Sequence, residues 1–433
     1  MADNAPSALQ LPQFRRLWLG AVVSNAGTWM QAITVPFVIF EMTGSTAWVG
    51  TVASATLLPT LIVTPIGGAL ADRYPRKRVL LIANSIQACC AALLSVAWFQ
   101  GVRSPLFMLM VAAFSGLFSS GTNSAWHAVI SDIVPPPLVT SAVSLNSMQV
   151  SAGKAVGPAL GGIILTTLGP AWAFGLNAFS FLVILGALAF SKPRAVPPRR
   201  QSGIIEGMVE GAHHVWRDPA MRRALLLTVS LTSMANPVLQ LTAPLPRRVF
   251  GGGGGLVGVL VGAYGAGSVV GAVLVGRVVQ PANRGRWITS MTALLGCVVI
   301  ATGLTAHAAM AVPLYAIHGC VYILAMSPII ATFHLRAEPS IRGRAVSVYL
   351  VSFSSFLGLG TLGWSRLADT RGFRLPLLVA GAVLLCVGLA TARRPEILDI
   401  PDRVVVHGTD GNRSVGPFSS PPAPGAVLKG SEI

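Results

Sequence analysis

Twelve long apolar runs limit what this chain can fold into: 17–40, 48–71, 79–100, 105–127, 139–167, 170–190, 223–245, 255–276, 287–306, 311–333, 343–365 and 375–392. Each is about as long as the roughly 20 residues that carry a helix across the hydrocarbon core of a bilayer. Backbone groups in lipid must bond to one another, which leaves helices or a closed barrel. Barrel strands would show shorter alternating segments, and the sequence has no such pattern. Only 10% of the 433 residues are charged and 53% are hydrophobic, whereas a soluble domain carries about 25% charged residues. So few charges cannot cover a water-soluble core of this size. Disorder and a disulfide-stapled scaffold are excluded on the same composition. The expected fold class is all-α: a polytopic membrane protein with twelve transmembrane helices. Gly169-Pro170 is the turn that separates the fifth span from the sixth.

The basic residues orient the chain. With the N-terminus inside, 24 of the 31 lysines and arginines fall on the inner side and six on the outer side, and Lys154 lies within a span. That asymmetry is a positive-inside signal, so both termini are expected in the cytoplasm. It also accounts for the net charge of +17 through contact with anionic lipid. The basic clusters lack interleaved aromatics, so no nucleic-acid partner is expected. The first run is too long for a signal-peptide core and should be retained as a span. Cys89, Cys90, Cys297, Cys320 and Cys386 lie in apolar runs without metal-ligand spacing and read as packing residues. No metal or cofactor is expected.

Residues 1–16 form a cytoplasmic N-terminal segment, and six spans occupy 17–190. Six more occupy 223–392, and 393–433 is a Pro/Gly/Ser-rich cytoplasmic tail, expected to be disordered from about residue 408. Between the halves, 191–222 is a basic linker. It should be extended at first, then form an amphipathic helix in which Ile204, Met208, Val209, Ala212 and Trp216 recur at helical spacing. Such a helix lies along a membrane face. His213 and His214 are adjacent, cannot share a face, and read as solvated. The halves repeat one another: AVSL at 142–145 answers AVSV at 345–348, and Gly157 and Gly360 keep the same offset of 203. Repeated halves about a midplane site are a common plan of secondary transporters.

The strongest local motif is GGALADRYPRKR, from Gly67 to Arg78. Gly68 and Asp72 share a helix face beside a dense basic turn, a charge clamp in which a carboxylate can receive a neighbouring helix end or an arginine. A second motif, GKAVGPALGG, sets Gly153, Gly157 and Gly161 at four-residue spacing with Pro158 and Gly162 among them. That stripe permits close helix approach and Pro158 should kink it; plain glycine packing is the competing reading. The first motif resembles the loop between helices 2 and 3 of the major facilitator superfamily. Gly68, Asp72, Arg73, Arg76 and Lys77 match, while Pro75 stands where that family usually has glycine. The second resembles the antiporter motif of its drug-exporting members. FRRLWLG at 14–20, EMTGSTAWVG at 41–50 and RDPAMRRALLL at 217–227 extend the likeness to bacterial exporters of the enterobactin-exporter and macrolide-efflux type. The resemblance covers residues 12–395 and implies two pseudo-symmetric six-helix bundles, a bacterial inner-membrane location, a small-molecule substrate, protons as coupling ion and a monomer.

Ionisable residues within spans default to functional candidates. Lys154 is the main one. It either lines the cavity, attracting an anion or releasing a proton, or snorkels to the cytoplasmic edge. Asn25, Thr28 and Gln31 form a polar stripe on span 1, for substrate contact or interhelical bonding alike. Asn236 and Gln240 flank Pro237 in a broken or kinked span 7. No acid lies deep in any span. Glu41 at the outer end of span 1 is the carboxylate candidate for proton coupling, with a solvated loop acid as the alternative. His127 and His318 are the histidine candidates, with a satisfied core histidine as the common fate. Gly251–Gly255 reads as a flexible loop. No paired carboxylates, nucleophile elbow or phosphate loop is present, which excludes an enzyme. The expected activity is alternating-access export of a small amphipathic molecule, a drug-like compound or a siderophore, by proton antiport; the alternatives are an uncoupled facilitator or importer, or a membrane sensor.

Overall fold

A computed structural model describes residues 7–59, 74–191, 204–235, 237–279, 283–338 and 341–399. The first half contains α1 (Pro12–Thr43), α2 (Thr46–Leu57), α3 (Arg76–Phe99), α4 (Pro105–Ile133), α5 (Val139–Thr167) and α6 (Pro170–Ala189). The linker helix is α7 (Ile204–Arg217). The second half contains α8 (Pro219–Met234), α9 (Pro237–Gln240), α10 (Gly254–Val278), α11 (Arg284–Leu304), α12 (Ala308–Arg336), α13 (Arg342–Arg371) and α14 (Arg374–Thr391). The described residues contain no strand. Among them, eight helices are long and apolar enough to cross a bilayer. The other four apolar runs correspond to α2, α4, α5 and the broken pair α8–α9. Proline opens α1, α4, α6 and α8, where its missing N–H costs nothing. Ser45, Ser104 and Asp218 cap α2, α4 and α8 through their side chains.

Successive helices run in opposite directions, so their ends gather on two faces. The near face holds the start of α1 and the ends of α4, α6, α12 and α14. The far face holds the loops around residues 44, 101, 169, 251 and 372, where glycines take positive φ.

The packing repeats between halves. In the first half, α1 lies against α5, α3 against α6 and α2 against α4; in the second, α8 lies against α13, α11 against α14 and α10 against α12. The halves meet through α5 on α10 and through α2 on α13, two contacts that exchange under the same two-fold relation. Glycines at matched positions explain the close approach. A Cβ on Gly157 would lie 2.6 Å from the Ala26 carbonyl oxygen, and one on Gly360 would lie 2.7 Å from the Ser233 carbonyl oxygen. The offset read from the sequence therefore relates positions with the same structural task.

The linker helix forms over Ile204–Arg217, but its faces divide differently from the periodicity. Gly211 and Val215 are buried, while Val209, Ala212 and Trp216 are exposed. The buried side docks on the start of α13, where Gly211 admits Arg344 and Glu210 pairs with that arginine. The glycine run also differs from the expected loop. Gly254 and Gly255 begin α10 and pack against Phe37, Leu165 and Thr166 of the first half. A flexible loop there would hold the halves apart. The tail beyond 399, with the expected disorder from about 408, lies outside the described residues. Before it, Pro395–Leu398 forms a 3-10 turn with Leu398 fully buried. Asp399 accepts from the Gly285 N–H at 2.6 Å and so covers the N-terminus of α11.

Candidate transport site and gate

The glycine motif of α5 divides between two tasks. Gly153, Gly157 and Gly161 face α1, against Asn25, Trp29 and Ile33. Gly162 instead faces Gly258 of α10 in the other half, where an added Cβ would lie 2.7 Å from the Gly258 Cα. A backbone atom cannot swing aside as a side chain can, so this contact needs glycine on both helices. Pro158 is accommodated within the helix, and its carbonyl oxygen also lies near Gly258. Around this point Ile33, Leu165, Val257 and Val261 form an apolar cluster shared by both halves.

Polar contacts close the same far face. Asp369, in the last turn of α13, accepts from Ser45 Oγ and from the Thr46 N–H, both at 2.8 Å. It thereby receives the first orphan N–H of α2 across the domain boundary. Arg248 lies 3.4 Å from Asp369 and also donates to the Gly44 carbonyl. Arg247 donates to Glu41 at 2.6 Å. Deeper in the interface, Ser54 Oγ donates to the Gly358 carbonyl at 2.7 Å. Gly50 sits where any side chain would collide with Ser365. Among the described residues, cross-half hydrogen bonds run from this far face down to Ser54 and Gly358, midway along α13. Glu41, expected as a coupling carboxylate or a solvated acid, lies at this face paired with Arg247.

The near face is tied within each half. Arg76 Nη1 donates to both carboxylate oxygens of Asp132, at 2.8 and 2.9 Å, joining α3 to α4. Lys77 donates to the Ala189 and Ser191 carbonyls, both at 2.7 Å, at the C-terminal end of α6. A cation there satisfies orphan carbonyls and matches the helix dipole. Gly68, Asp72 and Arg73, the rest of that motif, lie outside the described residues. In the second half, Arg336 bonds Asp218 at 3.2 Å and the Asp399 carbonyl at 3.3 Å.

Midway between the faces is Lys154. It lies 15 residues into the 29-residue α5, about 22 Å along its axis at 1.5 Å per residue. It is half-buried, and its ammonium sits 5.3 Å from the centre of the Trp29 ring. Trp29 is held in turn by Gly153 and Gly157, whose missing side chains give the indole its room. The expected stripe on α1 is split by its neighbours. Asn25 packs on Gly153; Gln31 accepts from Asn177 Nδ2 of α6 at 2.7 Å; Thr28 is exposed and donates to the Ser24 carbonyl. Gln31 is therefore an interhelical bonding residue. Asn236 lies outside the described residues, and of Gln240 only the backbone, the last residue of α9, is described. The chain does break between α8 and α9, as Pro237 requires.

His318 is 2% exposed on α12, between the rings of Tyr264 at 5.5 Å and Tyr322 at 6.4 Å. It belongs to the interior of the second half. His127 lies on α4 and is exposed. His318 joins neither Lys154, Glu41 nor the far-face contacts. The sequence reading missed Asp369, Arg248, Ser45 and Gly258. The Asp369 contact depends on a partner more than 300 residues away in the sequence.

Two six-helix halves with matched packing, cross-half polar contacts that among the described residues start from one face, and an ionisable midplane residue match the plan of a secondary transporter of the major facilitator class. The chain belongs to the transmembrane secretion effector family, whose pattern matches residues 4–399. It is 26% identical over 402 residues to the multidrug efflux pump Tap of Mycobacterium tuberculosis, covering 88% of this chain and 92% of the relative. It is 28% identical over 280 residues to the enterobactin exporter EntS of Shigella flexneri, covering 63% of this chain and 65% of that one. Among solved structures, a bacterial homologue of the lysosomal transporter Spinster, inward-facing and occupied, superposes with a TM-score of 0.70 at 15% identity, covering 88% of this chain and 96% of that one. A bacterial homologue of the iron transporter ferroportin, inward-facing, also gives 0.70, at 17% identity and with 89% and 99% covered. The chain is a multi-pass membrane transporter and not an enzyme.

Proposed function

We propose that this protein exports a small amphipathic molecule, a drug-like compound or a siderophore, across the bacterial inner membrane by alternating access. The halves 17–190 and 223–392 act as rocking bodies joined by the linker 191–222. The observation that supports the reading is where the described residues join the halves: Gly162 on Gly258, and Asp369 on the N-terminus of α2, both at the far face. With the arginine-rich near face in the cytoplasm, this is the inward-facing state, ready to load from inside. Names of relatives that export drugs and a siderophore support the direction.

Protons are the proposed counter-ion, and the gate carboxylates are where they act. Opening the far face separates Glu41 from Arg247 and Asp369 from Arg248 and α2. A second reading, transport without proton coupling, is favoured by the lack of any acid deep in a span.

Purified protein in proteoliposomes tests both. A pH gradient is imposed, lipophilic drugs and catecholate siderophores are offered, and substrate and internal pH are followed together. Coupled movement that disappears in Glu41→Gln supports antiport at the gate. Substrate movement with no pH response removes proton coupling and leaves the exporter. No movement of any compound counts against export.

A further inference from the structure

The cationic residue at the midplane has no counter-charge beside it among the described residues, and this bears on what the protein carries. Of the chain's 14 acids, those in the described crossing helices are Glu41, Asp132 and Asp369, each within the last turn of α1, α4 or α13. Glu41 and Asp369 are engaged by arginines at the far face, and Asp132 is engaged at the near one. Among the described residues Lys154 forms no ion pair, and its polar contact is the face of the Trp29 ring. A cation over an indole is attracted by the ring quadrupole, but the ring adds no formal charge. In a low-dielectric cavity such an uncompensated charge projects a strong field and draws in the opposite ion.

A second polar group on the same helix lacks a partner among the described residues. Gln149 is 1% exposed, and both atoms of its amide have no hydrogen-bond partner among the described residues. It lies four residues before Gly153, on the stripe that faces α1, and five before Lys154. A buried amide satisfied at neither end costs stability unless something else supplies the bonds. Here the missing partner would need both a donor and an acceptor, which an oxygen-bearing ligand or its water supplies. Trp29 adds an aromatic wall held rigid by the glycine stripe.

We propose that the substrate is a small organic anion, with a carboxylate or phenolate group received by Lys154 and an aromatic body laid beside Trp29. This rests on the export reading for the claim that the ligand is transported, but not for the claim that it binds. Cationic lipophiles, the opposite charge class, are disfavoured at this site because Lys154 repels them and no acid there compensates.

Binding is measured on the full chain in detergent by fluorescence anisotropy, with dansylglycine as the aromatic anion, its methyl ester as the uncharged analogue and rhodamine 123 as the cation. The wild type should bind the acid at least tenfold more tightly than the ester, a comparison that needs no variant to fold. Lys154→Gln should lose that preference, and Lys154→Arg should keep it within about threefold. Equal binding of acid and ester by the wild type, tighter binding of the cation, or an unchanged preference in a folded Lys154→Gln would each overturn the proposal. Flux in proteoliposomes separates the two claims. Anion bound with the Lys154 dependence but never moved removes export and leaves the anion site. Dye moved equally by wild type and Lys154→Gln leaves export and removes the anion site.

Discussion

Replacing Asp369 by alanine should open the far face. Its carboxylate accepts from Ser45 Oγ and the Thr46 N–H at 2.8 Å and faces Arg248 at 3.4 Å. Hydrogen bonds to a charged acceptor contribute about 1.5–3 kcal/mol each in favourable burial. The Asp369 side chain is 26% exposed, so about 1–1.5 kcal/mol per bond is the fitting scale, and the solvent-screened Arg248 pair adds less than about 1 kcal/mol. The total loss is about 2–4 kcal/mol, or about 30- to 700-fold in the ratio of closed to open gate. A working transporter keeps its two states within a few kcal/mol, so the open form should become the major one. The substitution leaves α2 its own cap, because Ser45 still accepts from the Trp48 N–H. Loss of the helix is therefore not the expected effect.

Spin labels at Val102 and Ala306, exposed at the far ends of the two halves, report the opening when the five native cysteines are replaced. The wild type should give the shorter distance and Asp369→Ala a dominant longer one. Asp369→Asn, which keeps an acceptor but not the charge, should lie between them. An unchanged distance distribution in a folded Asp369→Ala protein would refute the reasoning, since the cross-half cap would then contribute nothing to closure.

Other substitutions separate folding from gating. Gly157→Val pushes α5 off α1 within one half, and it should lower thermal stability by several degrees, as overpacking of about 1–3 kcal/mol does. Gly162→Val acts only between halves; its unfolding temperature should stay near the wild type while the label distance lengthens and flux falls at least tenfold. Arg76→Ala strands the buried Asp132 carboxylate, and removing one partner of such a pair costs about 3–5 kcal/mol. The loss should show in thermal unfolding and be partly recovered in the double variant with Asp132→Asn.

Much of the architecture was legible because the bilayer simplifies the physics. A run of about 20 apolar residues has one outcome in lipid, and so the helices fall close to their expected positions. The break at Pro237 and the turn at Gly169 follow from local backbone rules in the same way. The repeat offset joining Gly157 to Gly360 was visible because both glycines meet another backbone, and few other residues fit there. The faces of the linker helix were not legible. Periodicity shows that Val209, Ala212 and Trp216 share a side, but not whether α13 or the surroundings receive it.

The candidate site divides in the same manner. Lys154 stood out in the sequence because a charge amid apolar residues is costly wherever the helix packs. Its cation–π partner, the split of the polar stripe and the cross-half glycine pair did not. Nor could local sequence assign Glu41 to Arg247, or Asp369 to the start of α2. By itself the sequence determined which segments become helices and which residues are too polar for lipid, since both follow from transfer into the bilayer one segment at a time. Only the tertiary structure decided which polar groups meet across the halves and on which face, because those contacts depend on how two rigid bundles sit against each other.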